Sequence, residues 1–171
     1  LSETTPGARV VEGVAEFTGL PGASADAVVA AQAFHWFRGE EALAEAHRIL
    51  RPGGRLGLIW AMRDERVPWV RDLYELLRPH EANVPRYRRG GWRSAFARTE
   101  LFGPLTEAHF SYDQEMDADR LAERLASMSF VAVLPGADRQ RLLDQARALV
   151  SGLGELFVLP HVVDVFWCTR R

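Results

Sequence analysis

The hydrophobic and polar positions change period along the first part of the chain. Ala25 to Ala31 is a nearly continuous run of small and β-branched residues, which predicts a strand covered on both faces. Glu40 to Leu50 repeats its apolar residues at helical spacing and predicts an amphipathic helix. Pro52-Gly53-Gly54 predicts a turn, and Arg55 to Ala61 predicts a second buried strand. Strand, helix, turn and strand make a βαβ unit, which indicates a layered α/β domain.

The same pattern predicts the remaining elements. Arg9 to Gly13 is a short β-branched run between turn residues, so it predicts a strand ahead of the βαβ unit. The elements expected after that unit are helices at Pro68 to Leu77, Asp119 to Met128 and Asp138 to Val150, with Asp138 as a cap, and strands at Leu105 to Tyr112 and Leu156 to Thr169. Between them, Pro85 to Arg98 is rich in arginine and aromatic residues. With no repeat or low-complexity linker, residues 1–171 are expected to form a single domain.

Composition narrows the class of protein. The 171 residues are 47% hydrophobic and 26% charged, as in an ordinary globular domain, and the net charge of −2 gives no general attraction to nucleic acid or to an anionic membrane. Cys168 is the only cysteine, so an intrachain disulfide is excluded and a cytoplasmic location is expected. No apolar run is long enough for a membrane span, and no pair of histidines has metal-ligand spacing, so no metal site is expected.

Three stretches in a fixed order carry a family resemblance. The first is Val11-Glu12-Gly13-Val14-Ala15-Glu16, which leads to Leu20-Pro21. The second, Ala31-Gln32-Ala33-Phe34-His35-Trp36-Phe37, directly follows a predicted strand. The third runs from Ala42 through Arg48-Ile49-Leu50-Arg51-Pro52-Gly53-Gly54-Arg55-Leu56. Together they resemble the class I S-adenosylmethionine-dependent methyltransferases, in the small-molecule branch that includes the trans-aconitate methyltransferases.

This resemblance implies an α/β fold with a Rossmann-like sheet in the order 3-2-1-4-5-7-6. The chain is then expected to supply strands 3 to 7 and to lack strands 1 and 2, together with the glycine-rich loop that cradles the cofactor. Arg9 to Gly13, as strand 3, would have no neighbouring strand with which to pair. We therefore expect an N-terminally truncated chain that by itself binds S-adenosylmethionine weakly and is inactive.

The resemblance also implies where the cofactor would lie. Ligands of open α/β sheets bind beyond the carboxyl ends of the strands, where the strand order reverses. The turn expected to meet the adenine contains Val14, Ala15 and Glu16, where many relatives carry aspartate at the position of Val14. The turn after the next strand is expected to lie along the methionine part of the cofactor, and its residues are Ala31, Gln32, Ala33 and Phe37.

Several residues are candidates for the acceptor side of the site. His35 is interpreted as a general base, as a pocket-lining residue or as a packing residue, and Trp36 as a pocket wall. Trp60, at the end of a predicted strand, is a candidate for lining the acceptor pocket. The arginine-rich segment offers Arg86, Arg89 and Arg93 as clamps for a carboxylic acid; alternatively, the segment is a surface loop or a lid.

Three functions remain open at this level. The favoured one is S-adenosylmethionine-dependent methylation of a small-molecule acceptor at a carboxylate or hydroxyl oxygen, with no nucleic-acid or membrane partner. The second is a non-catalytic interaction module that forms a homodimer through its unpaired strands. The third is an RNA or protein methyltransferase that grips its substrate with the arginine-rich segment. Gln32-Ala33-Phe34-His35 differs from the Asn-Pro-Pro-Tyr type of tetrapeptide, which argues against methylation of a nucleic-acid base.

Overall fold

The structure, a computed structural model, describes residues 7–81 and 90–171. Its strands are β1 (Ala25–Ala31), β2 (Leu50–Arg63), β3 (Thr106–Met116) and β4 (Phe157–Thr169). Its helices are α1 (Gly39–Ile49), α2 (Pro68–Leu77), α3 (Arg93–Ala97), α4 (Ala118–Ala126), α5 (Ser129–Ala132) and α6 (Gly136–Val150), with 3₁₀ turns at Phe34–Trp36 and Arg78–His80. The strands form one sheet in the order β1-β2-β4-β3. The predicted α/β class is confirmed.

The predicted βαβ unit is present at the start of the sheet. β1 and β2 are parallel, with Ala27 opposite Arg55 and Ala31 opposite Ile59, and α1 connects them. α1 buries the apolar stripe that its spacing predicts, including Leu43, which is fully buried. The expectation that β1 is covered on both faces is wrong for the described residues. Most of its side chains are exposed, Val29 to 60%, because β1 lies at the end of the sheet order and α1 packs on one side only.

The predicted turn at Pro52-Gly53-Gly54 lies inside a strand. β2 begins at Leu50, and the register shifts so that Ala25 faces Leu50 while Ala27 already faces Arg55. The extra residues form a bulge, in which Gly53 has a φ of +75°. A Cβ at Gly54 would lie 2.9 Å from the carbonyl oxygen of Arg51. Glycine is therefore required at position 54 for space and is favoured at position 53 for its torsion.

The predicted strand at Arg9 to Gly13 is wrong. Residues 8–13 have no regular structure, and the only pairing nearby in the described residues is an isolated antiparallel bridge between Val14 and Phe17. Val10 and Val11 remain 59% and 46% exposed. β-Branched residues favour an extended backbone, but a strand also needs a neighbour to accept its hydrogen bonds, and the described residues provide none here.

Contacts divide the described residues into two compact units, each with its own hydrophobic core. Unit 1 comprises residues 7–60, 90–108 and Asp164–Arg171. Its core contains three large aromatic side chains: Trp60, Trp92 and Phe166. Their ring centroids lie 4.7 to 5.9 Å apart, which is the range of favourable tilted and edge-to-face contacts. Aliphatic residues of α1 and β2, among them Leu43 and Leu58, complete this core.

Unit 2 comprises residues 61–81 and His109–Val163, and its core is mainly aliphatic. α2 begins with Pro68 at a position where a proline costs no helical hydrogen bond. α4 is capped by Asp117, whose side chain accepts a hydrogen bond from the backbone N–H of Arg120. The predicted cap at Asp138 is wrong: α6 begins at Gly136 after Pro135, and Asp138 lies in its first turn, where a negative charge favours the helix dipole.

Candidate functional site

The turn that follows β1 has an unusual backbone. Gln32 has a φ of +56°, a left-handed conformation that is uncommon for residues other than glycine. Its backbone N–H donates to the carbonyl of Ile59 on β2 at 2.8 Å, which fixes this conformation to the end of the sheet. The carbonyl of Ala33 then accepts from the backbone N–H of Trp36 at 2.9 Å and opens a 3₁₀ turn. Strained turns of this kind are concentrated at functional sites.

An apolar cavity of about 350 Å³ lies beside this turn in unit 1. Four of the residues predicted to bind the cofactor line it: Ala15, Ala31, Ala33 and Phe37. β1 and α1 supply most of the remaining wall. A second cavity, of about 610 Å³, is lined by Val14, Ala15 and Phe37 among other residues. The structure therefore brings both predicted cofactor turns to the surfaces of two cavities that share Ala15 and Phe37.

Glu16 and Gln32 are the predicted cofactor residues that line neither of these cavities. The carboxylate of Glu16 accepts a hydrogen bond from the backbone N–H of Arg38 at 2.8 Å, and it lies 3.9 Å from the guanidinium of Arg38. Arg38 is the residue before α1, so Glu16 acts as a distant cap for that helix. Val14 directs its backbone N–H to the carbonyl of Phe17 at 3.3 Å.

His35 is held by a hydrogen bond from the fully buried Trp60. The indole N–H of Trp60 donates to Nδ1 of His35 at 3.0 Å. Because an indole nitrogen can only donate, Nδ1 must accept, and the proton of the neutral ring is on Nε2. Burial lowers the pKa of His35, which favours this neutral form. His35 also lines a third cavity, of about 420 Å³.

The structure separates the other candidates for the acceptor side. Trp60 is 0% exposed within the aromatic core of unit 1, so it offers no surface to a ligand in the described residues. Trp36 is 54% exposed beside His35. The guanidinium of Arg93 lies 4.8 Å from the ring centre of Trp92 and pairs with Glu107 at 3.3 Å. Arg86 and Arg89 lie outside the described residues.

The sequence interpretation missed Glu45, whose carboxylate is buried at the wall of the apolar cavity. It accepts hydrogen bonds from the backbone N–H and the hydroxyl of Thr18 at 2.8 and 2.6 Å, and from Nε of Arg48 at 2.7 Å. These hydrogen bonds lower the pKa of Glu45 from 4.5 to about 2, with Arg48 as the largest cause. The spacing of Glu45 and Arg48 on a helix was the available signal. Glu45 ties the segment before β1 to α1.

The described residues contain neither a cluster of metal ligands nor a membrane-spanning helix. In residues 7–81 and 90–171, no group of three or more histidine, cysteine, aspartate or glutamate side chains is arranged to hold a metal ion. No helix in the described part of the chain is both long and apolar enough to cross a membrane.

Comparison with known proteins identifies the family. The sequence profile of a methyltransferase domain matches residues 2–58. An uncharacterized methyltransferase of Mycobacterium tuberculosis is 35% identical over 139 residues, which cover 81% of this chain and 54% of that protein. An uncharacterized methyltransferase-like protein of Schizosaccharomyces pombe is 34% identical over 119 residues, which cover 70% of this chain and 46% of that protein. The chain spans about half the length of these curated relatives.

Solved structures agree with these relatives. A structure from Anaeromyxobacter dehalogenans, assigned as a type II methyltransferase, is similar with a TM-score of 0.62 at 26% identity over 93% of this chain and 69% of that chain. The chain belongs to the class I methyltransferases. A structure from Bacillus halodurans that is assigned as a methyltransferase has a TM-score of 0.51 at 16% identity, over 92% of this chain and 69% of that chain. At this identity, the similarity supports only the fold of this class I methyltransferase.

S-adenosylmethionine is the cofactor of this family. The apolar cavity suits part of such a molecule: the side chains of Ala15 and Phe37 offer a narrow apolar surface of the kind that an adenine ring requires. The small side chains of Ala31 and Ala33 line the same cavity. The lining of this cavity therefore has the apolar chemistry that an adenine ring requires.

Proposed function

We propose that the protein to which this chain belongs transfers a methyl group from S-adenosylmethionine to a small-molecule acceptor, at a carboxylate or hydroxyl oxygen. The observation that carries this proposal is the apolar cavity beside the strained turn, because both predicted cofactor turns contribute to its wall. Val14, Ala15 and Phe37 would hold the adenine, and the backbone at Ala31, Gln32 and Ala33 would face the methionine part. S-adenosylmethionine supplies the methyl group as an electrophile.

The residues of the chain would act mainly by positioning the reactants. Methyl transfer is an in-line displacement, and holding two reactants in line removes much of the barrier. His35 and Trp36 would form part of the acceptor wall. The hydrogen bond from Trp60 occupies Nδ1 of His35 and leaves its proton on Nε2, which favours a role as a hydrogen-bond donor to the acceptor over a role as a general base. Trp60 would then act through His35.

Arg93, with Arg86 and Arg89, is proposed as a clamp for an acidic acceptor. Arg93 is half-exposed and pairs with Glu107 at 3.3 Å, an ion pair that a ligand carboxylate can replace at little cost because exposed pairs are weak. Replacing Arg93 with glutamate is expected to raise KM for a carboxylic acid acceptor and to leave kcat within about two-fold, since binding affects both ground and transition states. Unchanged kinetics after separate replacement of all three arginines would contradict the clamp.

We also propose that β1, β2, β4 and β3 correspond to strands 4, 5, 7 and 6 of the family sheet, within one methyltransferase domain. The observed order β1-β2-β4-β3 supports this assignment. Strands 1 and 2 would then flank β1 on its exposed side. Because no glycine-rich turn follows a strand within residues 7–81 and 90–171, we propose that residues 1–171 alone are inactive and bind the cofactor weakly.

Calorimetric titration of S-adenosylhomocysteine tests this proposal. The titration is made into residues 1–171 and into a chain extended upstream to include a glycine-rich loop. Binding to the longer chain alone supports the proposal. The same longer chain with Phe37→Ala is expected to bind about ten-fold more weakly, because the apolar wall loses most of one aromatic side chain. Binding that is equal in both longer chains would contradict the placement of the cofactor.

A non-catalytic module that forms a homodimer through β1 is the second candidate. The specific observation in its favour is the exposure of β1 at the end of the sheet order, with Val29 60% exposed. An exposed strand edge is a template for pairing with another chain. Absence of cofactor binding in both chains, together with a dimer in analytical ultracentrifugation that Val29→Lys dissociates, would favour this candidate over methyl transfer.

A further inference from the structure

Unit 2 buries an arginine that pairs with no acid among the described residues. Arg63, the last residue of β2, is 7% exposed. Its Nη1 has no hydrogen-bond partner, and among residues 7–81 and 90–171 no carboxylate forms an ion pair with it. Its guanidinium lies 4.5 Å from the ring centre of Tyr74. A cation–π contact compensates a buried charge only in part, and the donors of Nη1 remain unused.

The surroundings of Arg63 carry additional positive charge. Nη2 of Arg124 lies 3.5 Å from Nε2 of His161, and Nδ1 of His161 lies 2.9 Å from the carbonyl oxygen of Leu159. Nδ1 therefore donates and Nε2 accepts, which leaves the buried His161 ring neutral. Burial and then the charge of Arg124 lower the pKa of His161, with a smaller contribution from Arg63. Two arginines thus act on one buried neutral ring.

Aromatic and acidic neighbours limit what this place can bind. Tyr112 stacks on His161 with a centroid distance of 4.5 Å and an interplanar angle of 3°. The acid that acts on His161 is Asp113, an exposed residue of β3 whose charge raises the pKa of the ring. The charges that act on His161, two arginines and one aspartate, sum to +1. Flat side chains beside this excess positive charge suit a planar carboxylate group better than a tetrahedral phosphate, whose desolvation is more costly.

We propose that Arg63 and Arg124 form an anion-binding site in unit 2 that takes the carboxylate of a small organic acid. Arg63 would donate to the carboxylate from the nitrogen that has no partner, and Tyr74 and Tyr112 would flank the remainder of the ligand. Binding of an acid at this site requires neither the cofactor nor the transfer step, so the site does not rest on the proposed function.

Binding of succinate to the 171-residue chain, observed by NMR at constant ionic strength, tests the site. The side-chain Nε–H signal of Arg63 is expected to shift and to saturate with succinate, and not with succinamide, which has the same shape without charge. Arg63→Met is expected to weaken succinate binding at least ten-fold. Arg78→Met is the matched control, because Arg78 is an exposed arginine of the same unit paired with Glu75, and wild-type affinity is expected for it.

Two further variants distinguish loss of the binding site from loss of folding. Arg124→Met changes an exposed side chain and is expected to weaken binding several-fold, whereas Arg63→Lys keeps the charge and is expected to retain part of the affinity. Equal binding by wild type and Arg63→Met overturns the site. Tighter binding of inorganic phosphate than of succinate overturns the assignment to a carboxylate. These outcomes are independent of cofactor binding, so failure of this site and failure of the proposed function are distinguishable.

Discussion

Unit 1 buries the carboxylate of Glu45 among hydrogen-bond donors, whereas unit 2 buries the guanidinium of Arg63 against a tyrosine ring, with no ion pair to an acid in the part of the chain that the structure describes. Glu45 has Arg48 and two donors of Thr18 within 2.8 Å. Arg63 has a nitrogen without a partner. A buried charge that is fully hydrogen-bonded within the chain is part of the fold, because removing it breaks the contacts of its partners. A buried charge without such partners is instead better explained by a ligand.

The contrast is tested most strongly by removal of Glu45. Glu45→Ala is expected to lower the free energy of unfolding by about 2 kcal/mol, since it removes hydrogen bonds to a charged group and leaves donors of Thr18 without an acceptor. Urea denaturation measures this change. Glu41→Ala, on an exposed position of the same helix, is the control and is expected to cost less than about 0.5 kcal/mol. Equal losses of unfolding free energy in the two variants would show that the hydrogen bonds of Glu45 do not stabilise the fold.

The same carboxylate should make stability depend on pH. The pKa of Glu45 in the folded chain is lowered from 4.5 to about 2, so its contribution is fully present above pH 4.5 and is lost as the pH falls toward 2. The difference in urea midpoint between wild type and Glu45→Gln is therefore expected to shrink across this range. Because wild type and Glu45→Gln contain the same other acidic residues, the contributions of those residues to the pH dependence cancel in this difference. A difference that stays constant from pH 5 to pH 2.5 would contradict the lowered pKa.

The aromatic core of unit 1 contains the buried indole N–H of Trp60, which donates a hydrogen bond to His35. Trp60→Phe removes the indole N–H that donates to His35, and we expect a cost of about 1 kcal/mol beyond that of Trp69→Phe in unit 2. Trp69 packs edge-to-face on Phe157, so its replacement controls for the loss of ring size. Nitrogen-15 NMR should show the Nε2–H tautomer of His35 in wild type and a mixture in Trp60→Phe. A mixture already present in wild type would contradict the proposed hydrogen bond.

Removal of the arginine in unit 2 should have the smallest effect and the opposite sign. Arg63→Met, without added anion, is expected to leave the free energy of unfolding unchanged or to raise it by up to about 1 kcal/mol, because a buried charge without a partner is replaced by an apolar side chain. Thermal and urea unfolding measure this change. A loss of more than about 2 kcal/mol would mean that Arg63 stabilises the fold itself, and the contrast with Glu45 would then fail.

The periodic elements of the fold were predictable, and the exceptions share a cause. α2 and β1 have the bounds that their patterns predict, because each is determined by local spacing and by turn residues. Arg9 to Gly13 has the composition of a strand, but composition does not provide a pairing partner. The burial of β1 was overestimated for the same reason. Local pattern predicts what a segment favours, while pairing and coverage depend on the remainder of the sheet.

The candidate site was predictable at the level of segments and less so at the level of atoms. The motifs placed Ala15, Ala31 and Phe37 near one another, and the structure has them at one cavity. The motifs did not indicate that Trp60 would be fully buried and bonded to His35, since the position at a strand end is the same for an exposed and a buried side chain. The sequence did not indicate Arg63 as a site residue, because its burial depends on contacts with segments distant in sequence.

The bulge between β1 and β2 has a consequence for how sequence variants of this protein should be judged. Gly53 and Gly54 are both glycine for different reasons. Gly53 has a positive φ, whereas Gly54 leaves no space for a Cβ. In a saturation library, asparagine should survive at position 53, where nothing lies within 4 Å of an added Cβ. Even alanine should be eliminated at position 54. Substitution matrices score the two sites alike, whereas a selection experiment should separate them sharply.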